Sequence, residues 1–154
     1  MEKQLIETWH IHCRINLYML DAIAPKAFSA PTPAKGRGFI QMFTHIHNTR
    51  LMWLQSAMPE LLKGLTKIEK DDIVGQSSLR KSLAASGQAI ETLLQKGLAS
   101  GGKIKGFKPH APAFLGYLIS HEAYHHGEIG VELTQIGYSL DKKTAYGMWE
   151  WGVR

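Results

Sequence analysis

Four stretches of this chain carry apolar residues every three or four positions over roughly twenty residues, the spacing of one helical face, and no stretch shows the strict alternation of a half-buried strand. That pattern restricts the fold to packed helices, because a helix with one apolar stripe must bury it against another. The first stretch, residues 3–22, sets Leu5, Trp9, Ile11, Ile15, Leu17, Tyr18, Leu20 and Ala22 without an internal Gly or Pro, and Pro25 stops it. The second runs from Gly38 to Ala57 on Phe39, Met42, Phe43, Ile46 and Trp53, and ends before Pro59. The third begins at Ser77 or Ser78 and reaches Leu98 on Leu79, Leu83, Ala84, Ala89, Ile90, Leu93 and Leu94. Its Gly87 either costs about 1 kcal/mol against Ala or marks a close approach of another helix. The fourth, Pro112 to Ile136, has a proline suited to a first helical position and Gly137 where a C-terminal cap belongs.

The connections differ in kind. PKAFSAPTPAKGRG holds three prolines and two glycines and is long enough to cross one end of a bundle. Residues 60–75 give little signal beyond one short turn of helix in PELLKGL, and ASGGKIKGFKPHAP is a glycine-rich turn. The tail YSLDKKTAYGMWEWGVR is too short for a domain, but Met148, Trp149 and Trp151 give it reason to fold back. The expectation is therefore one all-α domain over residues 1–154, a four-helix bundle with a short C-terminal tail. A chain of this length, 44% hydrophobic and 20% charged, can bury a core of its own.

The net charge of +5 comes from 18 Lys+Arg against 13 Asp+Glu, spread over helices that mix both signs, which argues against a nucleic-acid surface. Lys103, Lys105 and Lys108, followed by His110, are the local exception, close enough to the fourth helix to add to its N-terminal dipole in attracting an anion. No run approaches the roughly 18 apolar residues of a membrane span, and MEKQLIETWHIHCR lacks the apolar core of a signal peptide. A cytoplasmic protein without membrane contact is expected. The lone Cys13 cannot pair within the chain and reads as a half-buried helix residue. Large apolar residues on several helix faces and in the tail predict a homodimer.

Eight histidines occur, and only His121 and His125 form an i, i+4 pair. They lie about 40° apart around the helix, beside the stripe of Phe114, Leu118, Ile129 and Ile136. Imidazoles one turn apart converge on a point outside the helix and can share one metal ion. HEAYH also matches the zinc-protease helix letter for letter, but no downstream third ligand stands out and the surroundings read as a bundle. The alternative is that both are ordinary histidines satisfied by hydrogen bonds. In the second helix His45 and His47 point about 160° apart, so at most one can join an interior site. Periodicity by itself favours His47, which is nearer the centre of the stripe through Phe39, Phe43, Ile46 and Trp53.

The segment FTHIHNTRLMWL resembles the second helix of the DinB/YfiT-like family, and HEAYHHGEI resembles its fourth. The resemblance spans essentially the whole chain and assigns the first ligand to His45, with Ile46 and Trp53 at the matching aliphatic and aromatic positions, and the others to His121 and His125. It implies a three-histidine site for one divalent metal ion, zinc or nickel, with open positions for water or substrate. It further implies a metal-dependent enzyme of S-transferase or isomerase type, or a hydrolase, acting with a low-molecular-weight thiol such as bacillithiol, mycothiol or glutathione, or with water. Glu128 stands where relatives often carry glutamine. A non-catalytic metal-binding or protein-interaction bundle is the alternative. Glu122, Glu128 and Glu132 are the carboxylates available to orient a ligating imidazole or accept a proton, and His47 is an outer-shell candidate.

Overall fold

The computed structural model describes residues 1–31 and 35–154; the middle of the PKAFSAPTPAKGRG connection, residues 32–34, lies outside the described residues. Four long helices form, α1 (Glu2–Ala22), α2 (Phe39–Ala57), α3 (Gln76–Ala99) and α4 (Ala111–Gln135), followed by a short α5 (Lys142–Gly147). Every long helix starts and stops within two residues of the bounds read from the periodicity. PELLKGL does make its short turn, a 3-10 segment at Pro59–Leu62.

Local chemistry explains the ends. At the start of α4 the Nδ1 of His110 accepts from the Ala113 amide at 3.1 Å, and proline sits in the first turn. At its end Gly137 adopts φ +83, which lets Tyr138 N–H reach back to the Leu133 carbonyl at 2.8 Å. Lys103, Lys105 and Lys108 stay in solvent, outside this capped turn.

The helices pack as a four-membered ring in which α1 and α2 each lie against α3 and α4, while α1 and α2 face each other across the diagonal. The long connection between α1 and α2 is needed for that diagonal step. The core has two apolar halves. One gathers Met19, Leu20, Phe43, Ile46, Leu83 and Ile129; the other gathers Trp9, Leu54, Ile90, Phe114 and Leu118. Each such side chain contributes roughly 1.5–3 kcal/mol by burial.

Between the halves lies a layer of buried polar groups, one or two from each long helix: His12 and Asn16, Arg50, Ser86, and Glu122 with His126. Glu122 is its centre. Its carboxylate accepts from Arg50 Nε and Nη2, each at 2.7 Å, from His12 Nε2 at 2.8 Å and from Asn16 Nδ2 at 2.9 Å. Burial opposes the charge on Glu122, but the adjacent Arg50 guanidinium and these hydrogen bonds outweigh it and hold the carboxyl far below its usual range. Arg50 also donates to the Leu83 carbonyl at 2.9 Å and lies over the Trp9 ring at 5.0 Å.

Gly87 resolves as a close approach rather than a blemish. A Cβ there would stand 3.0 Å from Cys13 Sγ and 3.3 Å from Arg50 Nη1, and its carbonyl accepts from Trp9 Nε1 at 2.9 Å. The tail folds back as expected: Met148 packs on the core, and Arg154 stacks over Tyr18 at 3.7 Å. Trp149 nevertheless remains 81% exposed. No helix among the described residues is long and apolar enough to cross a membrane.

Candidate metal centre

On the seam between α2 and α4, beside the polar layer, three imidazoles converge. His121 Nε2 lies 3.3 Å from His45 Nε2 and 3.2 Å from His125 Nε2. One ligand-capable nitrogen from each of the three residues falls within 4.8 Å of the others, so the group could hold a metal ion. Tetrahedral ligands at zinc–nitrogen distances of about 2.0–2.1 Å stand about 3.3 Å apart, and two of the three separations already have that value. Three nitrogen lone pairs cannot face one another so closely without a proton or a cation among them. The donor set therefore suits a divalent ion.

The protonation states point the same way. Burial, then the charge of Arg37 and of the neighbouring imidazoles, lowers His45 to about 4. Burial and then His125 lower His121. Both are thus uncharged at neutral pH, the form that ligates. The Nδ1–H of His125 donates to Glu128 Oε2 at 2.6 Å, leaving the Nε2 lone pair directed at the cluster. His121 Nδ1, by contrast, is buried without a partner among the described residues.

Aromatic rings wall one side of the cluster. Tyr117 stacks on His121 with ring centroids 6.1 Å apart, and Tyr124 meets His125 edge-on at 5.4 Å. Trp53, Phe107 and Phe114 continue the wall into the core. On the His45 side an open cleft of ≈ 610 Å³ runs between α2 and the 67–74 loop. It is within the size range of small-molecule sites.

His47 does not stand in the cluster's outer shell. It is buried on the other face of α2, with Nδ1 3.0 Å from the Ser82 carbonyl and Nε2 2.9 Å from the Thr66 carbonyl. Burial lowers its pKa, while the two carbonyls pull the other way. Asn48 exchanges two hydrogen bonds with the backbone of Ile68, at 2.8 and 3.1 Å. Together these side chains pin the loop that forms the cleft's far wall. Of the three carboxylates considered for orienting a ligand, only Glu128 touches one. Glu122 is consumed by Arg50 in the polar layer, and Glu132 is buried with its carboxylate accepting from the Phe39 amide at the start of α2. A carboxylate there meets unpaired N–H groups and a favourable helix dipole, which is why it turns inward rather than to solvent.

Periodicity held a signal for the polar layer that the histidines overshadowed. Arg50 falls four residues from both Ile46 and Leu54, and Glu122 four after Leu118, so each stands on a buried stripe where a lone charge would be prohibitive. Two opposite charges on two such stripes point to a pair. Arg37, beside the histidines, had no periodic signal at all, because it lies in a connection. Comparisons with family models, with curated proteins and with solved structures each returned no match.

Proposed function

We propose that this chain is a DinB/YfiT-like metal-dependent enzyme that activates a low-molecular-weight thiol or water, of S-transferase or isomerase type, in the cytoplasm. The observation that supports it most is the convergence of His45, His121 and His125 at tetrahedral spacing beside an open cleft. When bound, zinc or nickel on three neutral ligands keeps its full charge and supplies Lewis acidity, lowering the pKa of a thiol or water in its open position and polarising a substrate oxygen.

The chain's own residues do the rest. The three histidines hold the ion; Glu128 keeps His125 in the ligating tautomer; Tyr117 and Tyr124 keep water from one side. Approach is left to the cleft alongside His45. Elemental analysis of the purified protein, followed by turnover with a panel of thiols and electrophiles before and after chelation, tests the reading. About one zinc or nickel per chain with metal-dependent turnover supports it. Bound metal without turnover on the panel favours a metal-binding module instead, and absence of metal uptake ends both readings.

A homodimer belongs to the same proposal. Tyr117, Tyr124 and Val131 recur every seven residues along α4 and are 36%, 66% and 59% exposed, an apolar strip beside the cluster that a second copy would cover. Sedimentation at tens of micromolar is expected to give twice the 17.2 kDa chain mass. A monomer mass removes it.

A further inference from the structure

The cleft that meets His45 is not uniform. Its inner surface includes Phe28 and Ile40, with Phe28 held edge-on against Phe39 at 5.1 Å, and Val74 adds an apolar patch on the loop side. Its charged groups are mostly committed. Lys67 pairs with Glu69 at 3.0 Å, and Asp72 accepts from the Glu69 amide at 2.8 Å. Glu128, on α4 beside the cluster, is taken by His125.

Arg37 makes no ion pair or side-chain hydrogen bond among the described residues, although it lines this cleft. It shares that lining with His45, so the guanidinium and the first of the three imidazoles face the same cleft. An arginine there, next to a site that would carry a divalent ion, works against cation binding. It is useful only if a negative group arrives with the ligand. A planar guanidinium has the fork that accepts a carboxylate in two parallel hydrogen bonds.

We propose that the cleft beside His45 recognises a small ligand carrying a carboxylate and a short apolar segment, with the carboxylate held by Arg37, the apolar segment against Phe28 and Ile40, and the ligand's donor atom at the three histidines. The inference rests on the function proposed above and adds to it the class of molecule. Arg37 is the specificity-determining residue. Lys70, in the 67–74 loop, adds a second positive group to the cleft's lining.

The test uses the full chain loaded with zinc and two thiols that differ only in the group to be recognised, 3-mercaptopropionate and 1-propanethiol. Zinc is first titrated alone into wild type, Arg37→Ala and Arg37→Lys, and each thiol is then titrated by calorimetry. Arg37 is exposed, so neither substitution disturbs the core. Zinc uptake is expected in all three. Wild type should bind the carboxylated thiol about tenfold or more tightly than propanethiol, the size of one charge-assisted hydrogen-bonded pair. Arg37→Ala should lose that preference with propanethiol unchanged, and Arg37→Lys should keep part of it. Equal affinities in wild type, no measurable binding of the carboxylated thiol, or a preference that survives Arg37→Ala overturns this inference while leaving the metal centre intact. Failure of zinc to bind wild type overturns the metal centre and this inference together.

Discussion

His125 and Glu128, one helical turn apart on α4, are joined by a 2.6 Å hydrogen bond from the imidazole Nδ1–H to the carboxylate. The bond sets both the tautomer and the ring orientation of a candidate ligand, so the cost of ordering that ring would be met at folding rather than at metal binding. Glu128→Ala should weaken zinc binding about 10–100-fold. Glu128→Gln should lose less, since an amide oxygen still accepts. Competition against a chromophoric chelator measures both, and an unchanged affinity in Glu128→Ala removes the carboxylate's role.

His45→Ala should abolish tight zinc binding, whereas His47→Ala should retain it. The second variant instead loses the ties between α2, the Ser82 carbonyl and the Thr66 carbonyl. It should lose about 1–3 kcal/mol of stability, from the emptied space of a buried side chain and the loss of its one N–H hydrogen bond to a carbonyl. Zinc titration and urea unfolding of the two variants should therefore give opposite patterns. Tight binding kept in His45→Ala and lost in His47→Ala reverses the assignment.

Glu122→Ala should be among the most damaging single substitutions outside the apolar core. It strands Arg50, which is 1% exposed, without its counter-ion. Leaving a buried charge unpaired costs about 3–5 kcal/mol. Replacing both partners, Arg50→Met with Glu122→Leu, should recover part of that loss, because no charge is left to solvate although His12 and Asn16 still lose their acceptor. Urea midpoints of the single and double variants decide it; a double variant no better than the single shows that the layer contributes more than one ion pair.

Cys13 should be slow to react in the native chain. Burial pushes its thiol up to about 12, foremost over the opposing charge of Arg50, so almost none is thiolate at pH 8. Labelling with a disulfide reagent should be slow in buffer and fast in denaturant. In the folded protein the rate should climb about tenfold per pH unit past pH 9, where an ordinary thiol, half ionised near 8.5, levels off. A plateau near pH 9 shows an ordinary, accessible thiol.

Much of this molecule was legible in local sequence. Helix bounds depend on apolar spacing and on where Pro and Gly interrupt it, and those act over a few residues, so α1 to α4 emerge almost at their final limits. The pairing of His121 with His125 is equally local, because one turn of helix sets their separation. Neither consideration distinguishes His45 from His47. Stripe geometry leaned toward His47 and the resemblance around Ile46 and Trp53 selected His45; packing supplies the physical reason, since α3 and the 65–68 loop bring carbonyls to both nitrogens of His47, while α4 brings two imidazoles to His45.

The carboxylates show the same division. Helical position puts Glu128 and Glu132 near the histidine side of α4 and Glu122 toward the opposite edge of its stripe, but assigns none of them a partner; one neutralises Arg50 across the core, one orients His125 and one caps α2. What a charged side chain does is decided by the groups that other elements bring within about 3 Å of it. The sequence by itself determined the helices and the faces they bury, since periodicity is written along the chain. Which buried polar groups meet, and with whom, was decided only when four helices packed, because hydrogen bonds and charge pairs are short-ranged and their partners here lie up to 110 residues away.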